Sequence, residues 1–288
     1  MLNYNNPARY MTKTGGMNAL SNFLANTLGY SLSVTNSNAA VTSGSYAVYW
    51  IHSVGNKYLM LWTYNTNQSE TSSNPTESKL YGSGFVVLES TTGFSGNETS
   101  LTSTGLTNKV NAANGTTSVT NYIGNTLNQS DWDYYGGNLW QDSSAGFAAL
   151  TLNRGNPTSW YTCGFIVDKK DDKLMIISDL SSSYSTMRYL CIDNNSNVWW
   201  GKFVTIYLQP RGQGIMLQGF NRCFGTNPTD STGYGTYDYV GYNIFADSKL
   251  FFVASPDQMA TNQNHLIGLS DGSLYFRLGR FFAYQIST

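Results

Sequence analysis

The chain has 288 residues, enough for one large β domain or two smaller ones. Only 11% of them are charged, and 16 basic residues against 17 acidic ones leave a net charge of −1. That balance supplies no field to draw nucleic acid or an acidic membrane, so both are excluded as expected partners.

Asn, Ser, Thr, Gly and Tyr fill the places that charges usually take. The small polar residues favour turns, and Thr, Tyr, Phe and Trp favour strands. The composition therefore predicts a mainly β fold, an antiparallel β-sandwich or meander, with many short strands and polar loops. Colloidal repulsion is weak at this net charge, which suits a subunit of a permanent assembly better than a lone soluble enzyme.

Residues 1–13 read as a polar arm dotted with aromatics, including Tyr4, Arg9 and Tyr10, of the kind ordered by contact with another subunit. One helix follows, in TGGMNALSNFLANTLGY, where Met17, Leu20, Phe23, Leu24 and Leu28 recur at helical spacing. Thr14 is placed to cap its start, and Gly29 suits the left-handed residue after its end. The arm and helix, 1–30, are taken as one unit and 31–288 as a β-rich body, with any further boundary near 131–160. The helix stripe must dock on a sheet or on a neighbour. No basic-then-apolar leader pattern and no apolar run of membrane-spanning length is expected to direct secretion or insertion.

The runs SYAVYWIHSV (45–54) and KYLMLWTYNT (57–66) flank Gly55-Asn56, a strong hairpin signal. Both faces of that hairpin are apolar, so cover is expected on both sides. A polar loop is predicted at 65–80 and a strand at 84–90. Residues 91–130, poor in large apolar side chains, read as a long exposed loop or a loose β excursion. Further strands are predicted at 145–152, 161–167, 173–180, 187–193, 197–209, 214–222, 238–246, 249–254 and 273–286.

Candidate chemistry is sparse. Of two histidines, His52 lies in the first hairpin and His265 follows a polar loop; neither sits in a nucleophile motif, and both read as structural or surface residues. Cys163, Cys191 and Cys223 form no Cys pair at metal or redox spacing and read as reduced core residues. No metal or cofactor is expected. Asp131 and Asp133 flank Trp132 beside Tyr134, an arrangement of acids and aromatics that suits a sugar; this is the alternative reading, a glycan-binding module of a fibre or spike. Five glycosylation sequons, at Asn67, Asn97, Asn114, Asn128 and Asn194, are about as many as chance gives in an Asn-rich chain.

The most charged stretch is Asp168-Lys169-Lys170-Asp171-Asp172-Lys173, between the apolar runs GFIV and KLMIIS. It reads as the solvated tip of a hairpin buried on both faces, or as an intersubunit contact.

The segment WYTCGFIVDKKDDKLMIISDLSSSYSTMRYLCID (160–193) resembles virion structural proteins of contractile-tailed bacteriophages. It has their aromatic strand, short charged turn, second apolar strand, Tyr-containing stretch and further strand. The early helix, the hairpin YAVYWIHSVGNKYLMLWT and the late strand LYFRLGRFF (274–282) follow in a similar order. Two features differ: Asp179 stands where the pattern has a basic residue, and no Pro-rich segment follows.

The resemblance implies a non-enzymatic subunit of the virion, assembled in the host cytoplasm as a ring at the neck, collar, tail or baseplate. Its partners would be copies of itself and neighbouring virion proteins. Candidate interface residues are Tyr4, Arg9, Tyr10, Met17, Leu20, Phe23, Leu24, Asp168, Lys169, Lys170 and Asp171.

Overall fold

A computed structural model describes residues 3–4, 15–37, 45–66, 81–119, 122–124, 134–135, 139–154, 161–179, 188–204, 217–219, 224–226, 237–238, 250–253, 266–268, 270–278 and 282–287. In chain order these form β1 (Asn3–Tyr4), α1 (Gly15–Asn22), a π-type turn (Phe23–Thr27), β2 (Leu32–Thr35), β3 (Ser45–Val54), β4 (Lys57–Thr66) and β5 (Tyr81–Leu88). Then come α2 (Ser103–Ala113), β6 (Tyr122–Gly124), β7 (Tyr134–Tyr135), β8 (Leu139–Asp142), β9 (Phe147–Arg154), β10 (Tyr161–Lys170) and β11 (Lys173–Asp179). The rest are β12 (Arg188–Asp193), β13 (Val198–Val204), β14 (Leu217–Gly219), β15 (Phe224–Thr226), β16 (Tyr237–Asp238), β17 (Leu250–Val253), β18 (Leu266–Gly268), β19 (Leu274–Leu278) and β20 (Phe282–Ser287).

Among the described residues the fold is mainly β and antiparallel, with two short helices and a sandwich-like pair of sheets. The N-terminal sheet has the order β2-β3-β4-β5-β6. The large sheet runs β1-β8-β9-β10-β11-β12-β13-β15-β16, with β7 also on β9, and the C-terminal sheet runs β14-β17-β20-β19-β18.

Strand periodicity sorts the side chains into layers. In the large sheet Ala148, Val167, Ile176, Leu190 and Trp200 lie opposite one another in successive strands. They join one core with Val48, Trp50, Leu59, Leu61, Phe85 and Val87 of the N-terminal sheet. Phe85 meets Phe165 edge-on across the gap, with centroids 5.1 Å apart.

The two other faces are covered as well. Outside the N-terminal sheet, Tyr49, Ile51, Met60, Trp62, Val86 and Leu88 pack on Leu106, Val110 and Ala113 of α2. Outside the large sheet, Phe147 stacks on Tyr284 of β20 at 3.6 Å, and Trp140 lies 4.9 Å from Phe276 of β19. The apolar faces expected to need cover thus find it within this chain.

The first hairpin occupies the predicted residues, with Gly55-Asn56 as its turn. The expectation of a long exposed loop or a loose β excursion over 91–130 is corrected in part: α2 occupies 103–113, and the short strand β6 follows at 122–124. Thr102 caps the helix by accepting from the Gly105 amide at 3.2 Å, and Gly115, at φ +60, turns the chain out of it. Only Leu106, Val110 and Ala113 are buried, a stripe too thin to stand out from the surrounding Asn, Thr and Ser.

Close strand packing fixes Gly164 in β10. Its φ is +151°, and a Cβ built there would lie 1.8 Å from the Leu150 carbonyl oxygen of β9. Gly93, at φ +88°, has nothing within 4 Å of an added Cβ. Gly164→Ala is expected to destabilise the protein by about 2–4 kcal/mol and Gly93→Ala by about 1–2 kcal/mol, read as urea midpoints at constant slope.

Candidate functional site

The candidate interface residues of α1 and of the π-type turn lie inside the molecule. Met17, Leu20 and Leu24 are 0% exposed and Phe23 is 3% exposed, in the core between the two sheets. Of the two dockings expected of this stripe, on a sheet or on a neighbour, the structure shows the first, and the candidate interface role of these four residues is corrected. Sandwiched between two sheets, the stripe has no surface to offer, and each such side chain contributes about 1.5–3 kcal/mol by leaving water.

The end of the helix explains how the stripe stays inward. The Leu28 amide donates to the Phe23 carbonyl at 3.1 Å, five residues back, and the Tyr30 amide donates to the Leu24 carbonyl at 2.9 Å. This wide turn keeps Phe23, Leu24 and Leu28 all buried. Gly29 then leaves at φ +79°, the left-handed conformation expected of it.

The segment that follows is gripped from both sheets. His52 of β3 is fully buried. Its Nδ1 lies 2.9 Å from the Tyr30 carbonyl oxygen, and its Nε2 lies 2.8 Å from Ser21 Oγ. A carbonyl only accepts, so Nδ1 carries the proton, and the Ser21 hydroxyl donates to Nε2. Burial is the main cause that lowers the imidazole pKa, opposed by the bond to Tyr30. From the other sheet, Lys169 Nζ donates to the Leu28 carbonyl at 3.2 Å and lies 5.0 Å from the centre of the Tyr30 ring. Burial, with smaller effects of Cys191 and Asp172, pushes the Tyr30 phenol up to about 12.

Ser21 and His52 are hydrogen-bonded as a nucleophile and base would be. Their exposures are 1% and 0%, which closes them to any substrate, and the imidazole is oriented by a backbone carbonyl. His52 is thus structural, as expected. His265 lies outside the described residues.

The charged hairpin is not a solvated six-residue tip. β10 continues to Lys170 and β11 begins at Lys173, so the turn is Asp171-Asp172 alone. Asp171 is exposed at φ +53°. Asp168 is 4% exposed, opposite Phe147, which is itself opposite Asp142 of β8. Burial and then the charges of Asp142 and Asp168 raise the Tyr284 phenol. Strand alternation sends Asp168 to one face of the sheet and Lys169 to the other, where it reaches Leu28.

Tyr4 lies in β1, opposite Trp140 on the edge of the large sheet. Arg9, Tyr10, Asp131, Trp132 and Asp133 lie outside the described residues. Tyr134 lies in β7, opposite Arg154 of β9. Cys191 is a free, buried thiol, pushed up to about 12 by burial. Among the described residues, no three His, Cys, Asp or Glu side chains are grouped to hold a metal ion, and no helix is long and apolar enough to cross a membrane.

A second polar cluster pins the 89–102 loop over the N-terminal sheet. Glu98 accepts from the Tyr49 hydroxyl at 2.6 Å and from the Ser95 amide at 2.9 Å, and Lys109 of α2 lies 3.1 Å from its carboxylate. Gly96 donates its amide to the same Tyr49 oxygen at 3.0 Å. Tyr49 is 49 residues from Glu98, so no local pattern reveals the cluster.

Comparison with protein-family models, curated proteins and solved structures finds no match to this chain.

Burial pushes the Glu98 carboxyl up, but the Ser95, Tyr49 and Lys109 donors outweigh it and hold it at about 2, against an ordinary 4.5. A depressed carboxyl contributes stability that is complete above its unfolded pKa and is lost as pH falls through the window from 4.5 towards 2. Glu98→Gln should lower the urea midpoint at pH 7 and flatten the loss of stability in that acid window. An unchanged pH profile would show that the carboxylate is not what pins the loop.

Proposed function

We propose that this chain is a non-enzymatic structural subunit of a contractile-tailed phage particle, forming a ring of copies of itself at the neck, collar, tail or baseplate. The observation that carries the reading is where the described polar side chains are used. His52, Lys169 and Glu98 each tie one layer of the fold to another, and Asn36 fills a backbone place in the ladder. They brace a stack of layers, as a subunit that bears mechanical load requires. The likeness of the 160–193 segment to virion structural proteins supports the same reading, as does the near-zero net charge.

Such a stack associates through its edges. The large sheet ends at β1, where Asn3 lies opposite Gln141 and Tyr4 opposite Trp140. A two-residue strand from an N-terminal arm is exchangeable: the same segment of a second copy makes the same bonds to β8. The arm, rather than the helix behind it, is the element that would clasp a neighbour.

The test separates arm from core. A chain lacking residues 2–14 keeps α1, whereas removal of 1–30 would strip the core itself. Light scattering should find the full chain as a multimer and the shortened chain as a monomer with an unaltered thermal transition. A full chain that stays monomeric at tens of micromolar, or a shortened chain of unchanged multimer mass, would remove the proposed assembly. Polysaccharide binding that is lost in Trp132→Ala would favour the sugar-binding alternative.

A further inference from the structure

The grip on residues 28–30 depends on one tautomer of one imidazole. We infer that His52 is an acid-operated latch: protonation of its ring makes the segment 15–30 open transiently from the N-terminal sheet more often, while the strand ladders stay paired.

The argument is one of donors and acceptors. Neutral His52 offers one donor to the Tyr30 carbonyl and one acceptor to the Ser21 hydroxyl, and both are used. An imidazolium has two donors and no acceptor. Its Nε2–H would point at Ser21 Oγ, and the Ser21 hydrogen, in a side chain 1% exposed, would have to find another partner. The new charge would also be buried, which is costly without an opposing charge.

Among the described residues, no such charge lies at hydrogen-bond distance. The segments GGMNALSN, FLANT and LSVT, which are α1, the π-type turn and β2, contain no charged residue. β4 places Leu59 opposite His52, and β2 places Leu32 there. The large sheet brings Lys169, already a cation, onto the carbonyl two residues before Tyr30. Asp172 and Cys191 act on the Tyr30 phenol, and Cys191 is a neutral thiol there. Protonation would thus put a second cation on a three-residue segment that already carries one.

The segment it holds is suited to local release. α1 has eight residues, too few to persist in water by itself, and a π-type turn follows it. The hydrogen bonds of the imidazole go to Ser21 and Tyr30 and not to β9, β10 or β11, whose ladder provides an internal standard.

The sign follows from the depressed pKa. The latch is closed above the unfolded value of about 6.5 and weakens as pH falls from there towards the folded value. One proton taken up on opening increases the opening equilibrium by at most about fivefold between pH 6.5 and 5.5, the full factor being reached where the folded ring stays neutral throughout.

Hydrogen exchange of the full chain, corrected for intrinsic rates, tests this at pH 7.5, 6.5 and 5.5. Amides of 15–30 should show an increase of up to about fivefold, while those of β10 and β11 stay constant. His52→Asn, whose amide can donate to Tyr30 without titrating, should lose the response. A flat response in the native chain overturns the proposal, as does a response retained in His52→Asn or shared equally by β10 and β11. If His52→Asn does not fold, NMR titration of the native His52 ring decides. A midpoint below 6.5 that coincides with loss of 15–30 protection supports the latch. Titration with protection intact refutes it.

Discussion

Two carbonyl oxygens two residues apart, those of Leu28 and Tyr30, are held by Lys169 of one sheet and His52 of the other. This is the point where the chain passes from helix to β2, between two sheets whose inner faces are apolar. Backbone carbonyls buried there need donors. Were they left without them, the helix end would have to move to water and take Leu24 and Leu28 with it. The large core between the sheets therefore depends on two polar contacts at its margin.

The same logic organises a chain with few charges. Asn36 donates to the Ala47 carbonyl at 3.1 Å and accepts from the Tyr49 amide at 2.7 Å, so one side chain does the work of a strand residue beside β3. Asn114 donates to the Val110 carbonyl at the end of α2 and accepts from the Glu89 amide. That use of its amide makes the sequon at Asn114 a structural residue of the helix end. Asn56 and Ser196 join the first hairpin to the turn after β12, with the Asn56 amide 2.6 Å from Ser196 Oγ. Uncharged polar groups can be buried in this way at far smaller cost than ions.

Legibility in the sequence followed the range of the interactions. The hairpin 45–66 was readable because turn chemistry and two apolar runs are local signals. Gly29 was readable for the same reason. The helix at 103–113 was not, since its cap, its thin stripe and its terminal glycine are each ordinary in an Asn- and Thr-rich region. The charged run misled differently. Charge density suggested solvent, but a strand alternates its faces, so adjacent Asp168 and Lys169 serve opposite layers. At the candidate site, His52 stood out only as a rare residue in an apolar strand. Its partners Ser21 and Tyr30 lie 31 and 22 residues away and carry no motif.

Faces and edges then have different uses. An apolar hairpin without a polar side suggests burial by a neighbouring subunit, yet both faces of the first hairpin are covered by α1, α2 and the large sheet of this chain. The same holds for β10 and β11, where Ile166, Met175 and Ile177 are as buried as Val167 and Ile176 on the opposite face. Among the described residues, no large apolar face is left for the contacts of a ring built from such subunits. Such a ring must close through strand edges, exchanged segments and isolated exposed groups such as Trp199 and Leu32, at 38% and 44% exposure. Edge pairing fixes direction and register through backbone bonds, which suits an assembly that must repeat one geometry. The weight of the functional reading thus moves from the apolar stripe of α1 to the two-residue strand in front of it.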